Sequence, residues 1–291
     1  RNDVVVYDSE IHSCLMDGLR LHMGKRLIFQ HNDMESFQKQ LNRAQKLTDG
    51  TDGGILVVTE GVFGMSGDMG KIKEIVDIRK SSGIQFRLLV DDAHGFGTMG
   101  ERGRGAAEEQ GVHDDVDILL CTFAKSMASI GGFVASSKEI IGYLRYNMRS
   151  QIFAKSLPVA ITIGAIKRLE MLENMPELRH KLWEITNALQ GGLRELGFDI
   201  GKTNTPVTPV FLHGNEKEAT HLIQDIRERF NIFCSIVLYP VVPKGTMLLR
   251  LIPTAMHTME DVQYTLDSFK EVKEKLDAGE YNLEHYAPIN A

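Results

Sequence analysis

The segment "VDDAHGFGTMG" at residues 90–100 sets two acids and a histidine, Asp91, Asp92 and His94, behind an apolar run and ahead of three spaced glycines. Two chemistries could use it. Gly95, Gly97 and Gly100 have the spacing of a dinucleotide-binding turn, whereas the acids and the imidazole could hold a charged heterocycle or move protons. A dinucleotide fingerprint needs its first glycine directly after a strand and its third inside the opening turn of a helix. Here Asp-Asp-Ala-His intervenes, and the following "ERGRGAAEEQG" has almost no apolar stripe, so a glycine-rich loop explains the spacing better than a nicotinamide site. A carboxylate at the end of a buried strand is costly unless a cation or hydrogen-bond donors face it. One of Asp91 and Asp92 is therefore expected to have a partner, the plainer alternative being a loop-capping Asp beside a solvent-facing His.

The next apolar run leads into "CTFAKSMASIGGF", with Thr122 and Lys125 just after it. A lysine at the end of a buried strand sits where burial can lower its pKa and free its amine as a nucleophile; the commoner fate is a snorkelling surface lysine. The pairing is more informative than either half. An Asp-x-x-His and a Thr-x-x-Lys on adjacent strand ends meet the needs of pyridoxal phosphate: a Schiff-base lysine, a carboxylate that keeps the ring nitrogen protonated, and a ring that serves as an electron sink. His12, in "SEIHSC", has a flat ring able to stack or hydrogen-bond, against the ordinary role of a helix cap. Arg250 interrupts the apolar "MLLRLIP" and suits a bidentate grip on a carboxylate, against a structural ion pair.

These residues need a scaffold, and the chain alternates short apolar runs with amphipathic windows. "DVVVY" (3–7), "RLIFQ" (26–30), "GILVVTE" (54–60), "FRLLVDD" (86–92), "DILLCTF" (117–123) and "GGFVAS" (131–136) read as strands buried on both faces. Helical patterns fill 12–24, 34–47 and 71–82, the second capped by Asn32 or Asp33. This texture predicts an α/β fold with a mostly parallel sheet and flanking helices. Beyond residue 137 come helical windows at 137–148 and 156–197, broken near Pro176, then strands at 206–213, 232–240 and 247–253 and helices at 216–229 and 258–276. The expected division is a large domain over 1–172 and a smaller C-terminal α+β domain over 173–291, with 281–291 as a tail.

Composition narrows the function classes. The formal charge of −6, with no basic cluster, argues against a nucleic-acid surface. Three scattered cysteines, Cys14, Cys121 and Cys234, suggest neither a disulfide framework nor a metal site, and a reducing, cytoplasmic setting is the default expectation. The longest apolar runs fall well short of the ~20 residues of a membrane helix.

Together "VTEGVFGMSGD", "VDDAHGFGTMGERGRG", "TFAKSMASIGGF", "RSQIFAKSLP" and "YPVVPKGTMLLRLIPTAMHT" resemble, in order from about residue 3 to 275, the α-oxoamine synthases, pyridoxal 5'-phosphate enzymes of the aspartate-aminotransferase-like fold (fold type I). Within that family the chain is most similar to bacterial serine palmitoyltransferases. The resemblance implies that Lys125 is the Schiff-base lysine, Asp91 the partner of the ring nitrogen and His94 the partner of the phenolic oxygen. It places His12 over the ring, Thr122 near the phosphate, Arg250 on the amino-acid carboxylate and Ser156 at the phosphate of a neighbouring subunit. It implies a homodimer that condenses L-serine with a long-chain acyl-CoA such as palmitoyl-CoA, the first step of sphingolipid biosynthesis, with peripheral membrane contact as a route to the acyl substrate. "PVVPKG" is similar to glycine C-acetyltransferase, which is the runner-up. Two departures stand out: Gly64 occupies a position where the family often has Ser, with Ser66 nearby as a substitute hydroxyl, and the upstream part of the large domain is missing from the pattern. The second keeps open a non-catalytic subunit or inactive fragment.

Overall fold

The computed structural model describes residues 2–282. The expected tail lies largely outside these residues. The two of its positions inside them do not behave as a tail: Tyr281 is fully buried and its hydroxyl donates to Asp225 Oδ2 at 2.8 Å.

The chain divides into two compact units: one gathers Arg1–Phe63 with Met69–Pro176, the other Gly64–Asp68 with the chain from Glu177 onward. In the first unit β1 (Val4–Asp8), α1 (Ser13–Arg20), β2 (Lys25–Phe29), α2 (Met34–Thr48), β3 (Ile55–Glu60), α3 (Ile72–Ser82) and β4 (Arg87–Asp91) alternate. They are followed by the short α4 (Ala106–Glu109), β5 (Ile118–Thr122), β6 (Gly132–Ser136), α5 (Lys138–Asn147), α6 (Arg149–Ile152) and α7 (Val159–Asn174). The sheet order is β2-β1-β3-β4-β5-β6, parallel throughout except for the antiparallel β5–β6 pair. All six strands and the three helical windows among them fall where hydrophobic periodicity places them, because strands covered on both faces must be apolar at consecutive positions.

Helix α2 shows how the faces are covered. Asp33 caps it by accepting the Ser36 N–H at 2.9 Å, as expected, and Phe37, Leu41 and Ala44 line one stripe with no exposure. The Phe37 ring meets Phe29 and Phe86 edge-on, with centroids 5.2 and 6.2 Å away. Each such side chain contributes about 1.5–3 kcal/mol by leaving water.

The second unit contains α8 (Pro176–Glu195), β7 (Thr208–Leu212), α9 (Glu216–Phe230), β8 (Ser235–Val237), β9 (Met247–Leu251) and α10 (Met259–Asp277). Its antiparallel sheet has the order β7-β9-β8. Val210, Leu249 and Leu251 pack with Leu189, Ile226 and Phe269 from the three helices into one core. The 156–197 window is two helices with the break where it was expected, parted at Met175 because Pro176 fits the first turn of α8 but could not continue α7. The expected strand at 232–240 shrinks to three residues, since β8 finds ladder partners only along Ser235–Val237 and Pro240 has no N–H to extend it. Among the described residues no helix is long and apolar enough to cross a membrane.

Candidate active site

The carboxyl ends of β1, β3, β4 and β5 bring Asp8, Glu60, Asp91 and Thr122 to one edge of the sheet, where open α/β sheets place ligands. Parallel register sets Glu60 beside Asp91. Asp91 is 6% exposed; its Oδ1 accepts the Ala93 N–H at 3.1 Å, and among the described residues no other hydrogen bond reaches its carboxylate. Burial pushes its pKa up, while the Ala93 N–H and then the nearby charges of His12 and Lys125 pull it back. The acid therefore has spare acceptor capacity in the direction of the site.

Asp92, its neighbour in sequence, does something else. It has no exposure, its Oδ2 accepts the Ala106 N–H at 2.7 Å at the start of α4, and burial pushes its pKa up to about 7. Three glycines wrap it. A Cβ on Gly61, Gly95 or Gly105 would lie 2.0, 2.1 or 1.8 Å from a carboxylate oxygen of Asp92. Gly105 also has φ +101°, which L side chains rarely adopt. The glycine-rich stretch is thus a loop folded around a buried acid, and the loop-capping role weighed for both aspartates belongs to Asp92. Ser126 ties this loop to the lysine segment, its Oγ donating to the Phe96 carbonyl at 2.6 Å.

Lys125 lies three residues beyond β5, with Nζ 3.2 Å from His94 Nε2. Its side chain is exposed, not buried as the strand-end position suggested, and the His94 imidazole lies beside it. Thr122 Oγ1 donates to the Gly131 carbonyl at 3.2 Å and accepts the Ala124 N–H at 3.1 Å, which shapes the turn carrying Lys125. His12 is the N-cap of α1, Nδ1 accepting the Cys14 N–H at 3.3 Å. The cap role uses only Nδ1 of the ring. Ser156 lies in the exposed stretch between α6 and α7.

Arg250 belongs to the second unit, on β9. Its Nη1 donates to the Gly64 carbonyl at 3.1 Å and approaches Met65 Sδ at 3.7 Å. Among the described residues its buried Nε has no hydrogen-bond partner, and desolvation lowers its pKa. Such a donor calls for an anion. The Ser66 hydroxyl donates to Asp68 Oδ1 at 2.5 Å, so it is already committed within its own turn.

Residues 1–269 match the model of the class I and II aminotransferase family. A cysteate-C-fatty acyltransferase of Capnocytophaga ochracea is 59% identical over 97% of this chain and 66% of its own length. A serine palmitoyltransferase of Bacteroides thetaiotaomicron is 35% identical over 95% of this chain and 68% of its own. The chain belongs to the α-oxoamine synthases. Among solved structures of such synthases, a serine palmitoyltransferase from S. paucimobilis carrying a PLP–myriocin adduct matches with TM-score 0.87 and 31% identity, over 95% of this chain and 68% of that one. The chain spans about two thirds of the length of these relatives.

As an α-oxoamine synthase the chain has the fold-type I architecture and belongs to a pyridoxal-phosphate family. The residues at its sheet edge fit that cofactor. A buried carboxylate with an unused oxygen suits a cationic ring nitrogen, an exposed primary amine beside an imidazole suits a covalent link next to a phenolic oxygen, and the loop between them is held by Asp92 and Ser126. Glu60, Asp8 and His31, which crowd the same edge, escape sequence reading. The available signal was an acid closing "ILVVTE" just as acids close "FRLLVDD".

Proposed function

We propose that this chain is the catalytic portion of a homodimeric enzyme that condenses a small α-amino acid with a long-chain acyl-CoA, releasing carbon dioxide and CoA. The observation that carries the reading is the Lys125 amine 3.2 Å from His94, with the Asp91 carboxylate at the adjacent strand end. When bound, pyridoxal phosphate supplies a sink for the electrons left at the amino acid's Cα. Lys125 would hold the cofactor covalently, and its free amine would take the Cα proton. Asp91 would face the ring nitrogen, its carboxylate oxygen accepting the ring N–H. His94 would donate to the phenolic oxygen, His12 would cover the ring face and orient the acyl carbonyl, and Thr122 would border the phosphate. Arg250 takes the amino-acid carboxylate through its unpartnered buried Nε and the adjacent Nη. Ser156 approaches the phosphate of the second copy. Exposed apolar side chains on the α5–α7 segment, among them Tyr146, Phe153, Val159 and Ile163, supply a surface of the kind that marks an interface.

For the amino acid, cysteate is our first choice, because identity to the cysteate acyltransferase is 59% against 35% for the serine enzyme. Serine is the second reading, supported by the match to the serine palmitoyltransferase structure. The test is CoA release by the complete protein, crossing cysteate, serine and glycine with acetyl- and palmitoyl-CoA. Turnover of cysteate with palmitoyl-CoA is expected. Turnover of serine alone would move the answer to a serine palmitoyltransferase, and glycine with acetyl-CoA alone to glycine C-acetyltransferase.

A further inference from the structure

Glu60 ends β3 and is 6% exposed, yet no step above uses it. One of its carboxyl oxygens, Oε1, accepts the backbone N–H of His12, a residue far away in sequence. His12 is where the chain leaving β1 turns into α1, so that N–H belongs to the residue that orients the helix entrance. On its other side, Glu60 is the register partner of Asp91. The same side chain therefore touches the backbone under one proposed cofactor-facing residue and stands next to another.

We propose that Glu60 is a positioning residue: by accepting the His12 N–H at the end of β3 it fixes the entry of α1, and with it the His12 imidazole, relative to Asp91. The proposal rests on the reading of Asp91 and His12 as cofactor-facing. Rigid support of this kind matters because a displacement of about 1 Å in a site can cost on the order of 100-fold in rate.

The surroundings set the form in which Glu60 does this. Asp91 faces it from β4 and Asp8 from β1, while His31, beyond β2, and the Cys14 thiol on α1 lie within electrostatic reach. Asp8 is fully buried and accepts His31 Nδ1 at 3.0 Å, the Asn32 N–H at 3.0 Å and the Glu10 N–H at 2.9 Å. Burial first, and then the Asp91 charge, push the Glu60 pKa up to about 8. At neutral pH Glu60 is an uncharged acid whose carbonyl oxygen suffices for the His12 N–H.

The experiment uses the complete protein loaded with pyridoxal phosphate and compares the parent, Glu60→Gln and Glu60→Ala. Three readouts are taken: the induced circular dichroism of the bound cofactor between pH 6 and 9, the KM and kcat for the amino acid, and amide exchange at residues 10–16 without cofactor. Glu60→Gln keeps an acceptor of the same shape, so it should match the parent at neutral pH and lose the parent's change near pH 8. Glu60→Ala should alter the dichroism, speed exchange at His12 and raise the amino-acid KM by about 10- to 100-fold. Parent-like dichroism and exchange in Glu60→Ala would overturn the proposal. So would a Glu60→Gln protein as impaired as Glu60→Ala, or, should Glu60→Ala not fold, a Glu60→Gln protein that retains the transition near pH 8. Asp91→Asn and His12→Ala serve as the separate check: if neither alters the dichroism, the underlying site reading fails rather than the role of Glu60.

Discussion

Gly61→Ala tests whether the glycines exist to enclose Asp92. Gly61 has an ordinary backbone conformation, so an added methyl is opposed only by what it meets. Its Cβ would lie 2.0 Å from Asp92 Oδ1 and 2.3 Å from Cγ, where ordinary contact begins near 3.4 Å, so a gap of about 1.4 Å must open. Asp92 is fully buried, holds the Ala106 N–H at 2.7 Å and has Gly95 and Gly105 against its other sides, so it has nowhere to retreat. Overpacking of this kind costs about 1–3 kcal/mol, and weakening the hydrogen bond to Ala106 adds about 1 kcal/mol. The reduced freedom of the unfolded chain returns roughly 0.4–1 kcal/mol. A net loss of about 1–3.6 kcal/mol is expected in urea unfolding followed by far-UV circular dichroism. Asp92→Ala removes the colliding atoms, so the double variant should be more stable than the sum of the two single changes predicts, by about 2 kcal/mol. Additive behaviour, or a Gly61→Ala protein within about 0.5 kcal/mol of the parent, would refute the enclosure.

Three further outcomes follow from the same structure. Gly142 lies inside α5 with nothing near its missing Cβ, so Gly142→Ala should stabilise by up to about 1 kcal/mol in the same assay. Glu60 and Asp92 hold protons in the folded protein up to about pH 8 and about pH 7, well above the carboxyl range of an unfolded chain. The folded state therefore binds more protons in that window, so stability should fall as pH rises from about 4.5 to 8 and level off above, by at most roughly 1.4 kcal/mol per pH unit for each group; Glu60→Gln should shallow the slope. Arg250→Lys keeps the charge but loses the planar fork, so the amino-acid KM should rise by about 10-fold or more while cofactor absorbance persists.

The scaffold was legible because its strands are covered on both faces: consecutive valines, isoleucines and leucines at 4–6, 55–58 and 88–90 leave little else for the chain to do. Within the site, the strand-end acid and the lysine were legible for the same reason, since a polar residue closing an apolar run is conspicuous. What pattern could not show was the division of labour between Asp91 and Asp92, which depends on glycines as distant as Gly61 and Gly105 closing on one carboxylate. Nor could it show Glu60 meeting His12, a contact made only when β3 lies beside β1 in the sheet. Tyr281 looked like tail for a comparable reason: its partners, Asp225 and Lys275, lie on α9 and α10.

The central claim is that Lys125, beside His94, anchors pyridoxal phosphate. Borohydride reduction of the cofactor-loaded complete protein, followed by peptide mass spectrometry, tests it directly. The expected result is a single pyridoxyl-phosphate modification on Lys125, absent in Lys125→Ala. Modification of a different lysine, or none in protein shown to bind the cofactor, would contradict it.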